Sequence, residues 1–183
     1  MQNPNNLPSQ VLMAKYFPKT QFMNAKLGAY PSFAWRSILQ GREVLRRGLR
    51  WKVGNGCDIK IYTDRWMPRP TSFTIYAPPI LGMECRVSKL ICQLSRNWKT
   101  QLVQQSFYEH DAETILSIPL SARLPVDRMM WHFERSGIYT IKSGYKVARN
   151  MLREMEQQGD EAGGPVGSKF PNLVEPIMAI KSS

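Results

Sequence analysis

Helical spacing of apolar residues opens the chain and gives way to strand-like alternation near residue 50. Segment 9–17, SQVLMAKYF, has the spacing of a short helix, and Pro18 stops it. Pro31-Ser32 opens a longer helical stretch, FAWRSILQGREVLRRGL, with Ser32 placed as its N-cap. At 100° per residue Trp35, Ile38, Leu39, Leu45 and Leu49 share one face, and Val44 falls opposite. Arg42 and Arg46 lie inside that apolar face. Three resolutions are open: a kink at Gly41, arginines that snorkel to an edge, or arginines that project into a phosphate-binding groove.

Trp51-Lys52-Val53, Gly54-Asn55-Gly56 and Ile59–Tyr62 read as strand, turn, strand, because Asn-Gly tolerates the positive φ of tight hairpins. Trp66 follows, and Pro68 and Pro70 end regular structure. Residues 71–85 are loop-like. Short helices are expected around Val87–Cys92, Lys99–Phe107 and Asp111–Ser117, the last capped by Asp111. A second hairpin is expected from Met129–Glu134 through Ser136-Gly137 to Ile138–Ile141. Ser143 then caps a helix with Tyr145, Ala148, Leu152 and Met155 on one face. Residues 158–183 lose all periodicity and read as a disordered tail. The expected fold class is α+β, with helices, two small antiparallel hairpins and that tail. Four segments follow: 1–70 basic helix-hairpin, 71–126 loop and short helices, 127–157 hairpin-helix, and 158–183.

The chain has 183 residues, 43% of them hydrophobic, which supports one modest core with appendages. No apolar run approaches the roughly 20 residues a membrane helix needs. The start, MQNPNNLPSQ, lacks a secretory pattern, so a soluble intracellular protein, nuclear or cytoplasmic, is expected. Charge sharpens the picture. Residues 1–70 hold 12 Lys/Arg against 3 Asp/Glu, a net of +9, and the remainder holds 13 against 11, a net of +2. A basic half points to a polyanion, with nucleic acid ahead of an anionic membrane because no basic amphipathic tail is evident. A merely solubilising surface is the alternative.

Candidate chemistry is thin. Cys57, Cys85 and Cys92 are scattered, and His110 and His132 are the two histidines, so the paired Cys/His ligands of structural zinc are missing. Asp58 and Asp64 are a carboxylate pair in name. Six strand residues would separate them by roughly 20 Å, beyond the roughly 5–9.5 Å of paired catalytic carboxyls. Asp58 reads as a turn residue, and Asp64 as an acceptor for local backbone or a nearby arginine. Gly-Asn-Gly lacks the remaining positions of a phosphate loop. His132, between Trp131 and Phe133, reads as structural, and Ser143-Gly144 has no nucleophile-elbow context. What remains is basic residues interleaved with aromatics from Trp35 to Arg69, a pattern for phosphate contact and base stacking.

The words AKYFP (14–18), AKLG (25–28), PSFAWRSILQGREVLRRGLRWKVGNG (31–56), IKIYTDRWMPRP (59–70), IPLS (118–121) and DRMMWHFERSGIYTIKSGY (127–145) carry a resemblance. Over about residues 8–150 the sequence resembles the plant LINE-type (non-LTR) retrotransposon reverse-transcriptase polyprotein. The similar part runs from the connector after the polymerase into the start of the zinc-binding region. The family's Y-x-D-D word, its clustered ribonuclease H acids and its later Cys/His ligands have no counterpart here. The resemblance therefore implies a non-catalytic connector without cofactor, metal, small-molecule substrate or membrane. Its partner would be RNA or DNA. Candidate phosphate contacts are Arg36, Arg46, Arg47, Arg50, Lys52, Lys60, Arg65 and Arg69. The alternatives are a truncated remnant with structural integrity alone and, further off, a metal-dependent enzyme.

Overall fold

The structure, a computed structural model, describes residues 7–70 and 72–161. The expected tail lies outside these residues from position 162 onward. The fold is α+β: among the described residues there are five α-helices and two small antiparallel sheets. Two compact units group them. One takes the chain up to Arg46 and again from Gly144; the other is Arg47–Ser143.

In the first unit, α1 (Leu7–Tyr16) ends before Pro18, and a 3-10 turn (Phe22–Asn24) leads to α2 (Phe33–Gly48), which belongs to this unit as far as Arg46. Ser32 caps α2 as its sequence demands, its Oγ accepting from the Trp35 N–H at 3.2 Å. Fully buried Trp35 stacks on Tyr16 at 4.5 Å and on Phe17 at 5.6 Å, with Phe22 meeting it edge-on at 6.2 Å. Helix α2 runs through Gly41 without a break. Arg42 donates to the carbonyl of Ala25, and Arg46 to that of Met23 at 2.9 Å. A short 3-10 turn leaves carbonyls without helical donors, and these two guanidinium groups supply them. Val44, expected on the polar side, is 3% exposed, so α2 buries two faces rather than one.

Helix α5 (Ile141–Glu161) begins two residues before Ser143 and extends past position 158, where the tail was expected to start. Thr140 is its cap: the Thr140 Oγ1 accepts from Ser143 N–H at 3.2 Å, and Ser143 Oγ accepts from Thr140 N–H at 3.4 Å, a reciprocal box. Its buried stripe is Val147, Ala148 and Met151, whereas Tyr145, expected on that stripe, is 39% exposed.

The second unit contains β1 (Leu49–Lys52), a 3-10 turn (Val87–Leu90), β2 (Ile91–Cys92) and β3 (Asn97–Trp98). Helices α3 (Thr100–Ser106) and α4 (Glu109–Ser117) and strand β4 (Arg128–Trp131) complete it. Its core is Ile59, Ile61, Trp66, Met67, Val87, Leu90, Ile91, Val103 and Ile115, each at most 1% exposed. Each such side chain contributes on the order of 1.5–3 kcal/mol by leaving water. Buried Trp66 keeps its indole N–H satisfied at the Ile61 carbonyl, 2.9 Å away.

Neither expected hairpin closes on itself. Strand β1 pairs antiparallel with β4, in the register Leu49↔Trp131 to Lys52↔Arg128. Residues 59–61 pair instead with 85–87, where Ile61 N–H donates to Cys85 O and Val87 N–H to Ile59 O, both at 2.9 Å. In the second expected hairpin, Trp131 N–H still reaches Gly137 O at 2.8 Å, but Ile138–Thr140 form no strand. The small hairpin that does close, β2–β3, lies in a segment read as loop and helix.

Candidate nucleic-acid interface

The Gly54-Asn55-Gly56 turn explains why β1 leaves its sequence neighbour. Its backbone N–H groups are not used within a hairpin. The Asp127 carboxylate accepts from Gly54 N–H at 2.7 Å, Gly56 N–H at 3.0 Å and Asp58 N–H at 2.9 Å. Backbone packs tightly on both glycines. A Cβ on Gly54 would stand 2.0 Å from Pro125 O, and one on Gly56, where φ is +73°, would stand 2.5 Å from Ser88 N. The turn is thus an anion cradle, and its anion is a side chain 73 positions away.

Two other aspartates, Asp111 and Asp64, are similarly occupied. Asp111 is not the cap of α4; Tyr108 holds that position. With 1% exposure, Asp111 accepts from Tyr76 N–H at 3.0 Å and Ala77 N–H at 2.9 Å, and forms an ion pair with Arg69. Asp64 accepts from Lys60 N–H at 2.7 Å, the local backbone contact expected of it. Among the described residues no three His, Cys, Asp or Glu side chains gather closely enough to hold a metal ion.

The eight candidate phosphate contacts divide by where their donors point. Arg69 donates to Thr74 O at 3.1 Å as well as to Asp111, and its guanidinium covers the Tyr76 ring at 4.5 Å. Arg65 lies over Phe73 at 4.8 Å. Arg50 donates to Nδ1 of His132 at 3.1 Å, to Trp51 O at 3.1 Å and to Trp66 O at 3.4 Å. Burial draws the Arg50 pKa down from its ordinary value. Burial, with the Arg50 charge second, lowers the His132 pKa too, so neutral imidazole is the acceptor. Lys60 pairs with Glu84 at 2.7 Å, and the lysine holds the Glu84 pKa below its usual range. Arg46 bonds Met23 O and Glu43, and Arg47 is half-buried. Arg36 and Lys52 are exposed.

Lys52 has a neighbour that the sequence does not bring near it. The register sets Arg128, also exposed, directly across from Lys52 on β4. Strands β1 and β4 together carry Arg50, Lys52 and Arg128 and no acid. Like charges facing across a strand pair destabilise it, and an anion held between them would offset that repulsion by attracting both. No local signal marks Arg128, because the pairing spans most of the second unit. The same holds for Asp127 and Asp111, whose acceptor roles depend on loops remote in sequence.

The chain is similar to two curated plant proteins. An uncharacterized mitochondrial protein of Arabidopsis thaliana is 43% identical over 67 residues, covering 37% of this chain and 44% of that protein. An Arabidopsis thaliana protein named "Putative ribonuclease H protein" is 28% identical over 166 residues, covering 80% of this chain. The chain spans less than half the length of the first and 24% of the second. No family model and no solved structure matches. Among the described residues no helix is long and apolar enough to cross a membrane.

Proposed function

We propose that this chain is a non-catalytic, nucleic-acid-associated connector of a plant retroelement polyprotein, intracellular and acting beside RNA or DNA. The observation that carries the non-catalytic half is the use of the buried acids. Asp127 and Asp111 each accept two or more backbone N–H groups. A carboxylate whose lone pairs are held this way has little left to offer a metal ion or a water nucleophile. Similarity along 80% of the chain to a protein named as a ribonuclease H supports the nucleic-acid half. The exposed cations Arg36 and Lys52 are the sequence-derived contacts whose donors are available; Arg128 joins Lys52.

A filter-binding salt titration of the full chain with labelled RNA, DNA and an RNA–DNA hybrid tests both halves. Magnesium and manganese are present in parallel samples run for cleavage. Binding should weaken steeply with salt, with the hybrid left intact. Each phosphate contact contributes about 0.7–0.9 log units of affinity per log unit of salt. Absence of binding at low salt would leave a structural remnant, and metal-dependent cleavage by purified chain would make it an enzyme.

A further inference from the structure

We infer that the solvent side of α5, carried by Lys146, Arg149 and Arg153 with Tyr145 at its flank, is a contact surface for a nucleic-acid phosphate backbone. It rests on the nucleic-acid reading above and adds a surface that the basic N-terminal half does not contain. Spacings of three and four residues put the three cations on one helical face, on successive turns. All three are exposed. The first and last stand seven positions apart, about 10 Å along the axis at about 1.5 Å per residue, a length over which one strand of a duplex offers about three phosphates. Lys142 stands one turn earlier on the same helix. The row escapes a reading that sets Tyr145 and Leu152 in the apolar stripe. Once Val147, Ala148 and Met151 are seen to be the buried stripe, the cations lie diametrically opposite it.

Helix stability does not account for this arrangement. Residues 141–153 contain no acid, so none of the row's i,i+3 and i,i+4 pairs within that stretch is attractive; each is like-charged. The acids Glu154, Glu156, Asp160 and Glu161 all follow Arg153. Cations thus occupy the N-terminal part and acids the C-terminal part, the reverse of what the helix dipole favours. A polyanion on the cationic face offsets these repulsions by attracting every member of the row. A lipid surface fits less well, because an interfacial helix lays its apolar face into the bilayer, and here that face is buried in protein. Exposed arginines supply the paired donors that suit phosphate oxygens, and Tyr145 supplies a ring beside them for an unpaired base.

The test is a salt titration of the full chain and of a Lys146→Gln/Arg149→Gln/Arg153→Gln variant, with 20-mers of rU and dT and a duplex DNA. The variant should lose about 2–3 log units of affinity per log unit of salt from its slope, on all three probes. Its melting temperature should be no lower than wild type, since like-charge pairs are relieved. Tyr145→Ala should weaken the single-stranded probes about five- to 150-fold, the equivalent of one lost base stack, and leave the duplex nearly unaffected. A control variant, Arg96→Gln/Arg123→Gln/Arg135→Gln, alters three other exposed arginines and should lose less slope than the α5 variant. Wild type that binds none of the probes overturns the nucleic-acid function itself. Wild type that binds while the α5 variant keeps its slope, or falls no further than the control, overturns this surface alone. Binding to phosphatidylserine vesicles without binding to any oligonucleotide overturns the choice of partner.

Discussion

Asp127 is the residue on which the Gly54–Asp58 loop depends, and replacing it gives a graded test. Its Oδ1 accepts from Gly54 and Gly56 and its Oδ2 from Asp58, and the residue is 8% exposed. Asp127→Ala leaves three N–H groups facing a small void lined by backbone. A buried donor left unsatisfied costs about 1–3 kcal/mol, so three set an upper range of about 3–9. The loop is not closed to solvent: Asn55 and Cys57 line its side, and Cys57 is exposed. Water can therefore reach part of the vacated position, and a loss of about 3–5 kcal/mol is expected. That is a large share of the roughly 5–15 kcal/mol that holds a domain folded, and corresponds to a fall in Tm on the order of 15 °C or more. Asp127→Asn should fall between. Its carbonyl keeps the two Oδ1 bonds, but its NH2 confronts the Asp58 N–H, donor against donor, at a cost of about 1–3 kcal/mol. Urea unfolding followed by tryptophan fluorescence measures both variants, since Trp51, Trp66, Trp98 and Trp131 all lie in this unit. An alanine variant within about 1 kcal/mol of wild type would refute the cradle as the organiser of the loop, as would an asparagine variant no better than alanine.

Further outcomes follow from the same structure. Gly48→Ala would set a Cβ 2.3–2.7 Å from three atoms of the Trp131 ring and should cost about 1–3 kcal/mol; Gly41→Ala, with open space around it, should instead stabilise α2 by about 0.5–1 kcal/mol in thermal melts. His132 has a pKa depressed on folding, so its contribution is full above an unfolded value of about 6.5 and is lost as pH falls toward the folded value. Between pH 7.5 and 5.5 the wild type should lose more stability than His132→Asn, and equal slopes would count against the buried neutral imidazole. Arg69→Met strands a buried carboxylate and should cost about 3–5 kcal/mol, with a double-mutant cycle against Asp111→Asn showing coupling well above experimental error. Lys52→Glu should form an attractive cross-strand pair with Arg128 and raise stability by about 0.2–1 kcal/mol while weakening nucleic-acid binding; a loss of both would point to a purely structural lysine.

Local rules in the sequence determined much of this protein. Pro18 ends α1, Ser32 caps α2, α3 and α4 fall close to the expected 99–107 and 111–117, and the α+β class follows from their mixture with short strands. Each of these depends on residues within about four positions, the reach of a helical turn or a cap. The tertiary structure alone decided how strands pair and which charges remain free. Asn-Gly is compatible with a hairpin, but the N–H groups of Gly54, Gly56 and Asp58 find a stronger acceptor in Asp127, so β1 pairs with β4 instead of residues 59–62. Arg50, Arg65 and Arg69 look like surface cations in sequence, yet each meets an acceptor or ring that only the folded loops bring within reach. Arg128 faces Lys52 for the same reason. Charge is written in the sequence, but its availability is a difference between solvation and nonlocal hydrogen bonding, and that difference exists only once the chain has closed its loops.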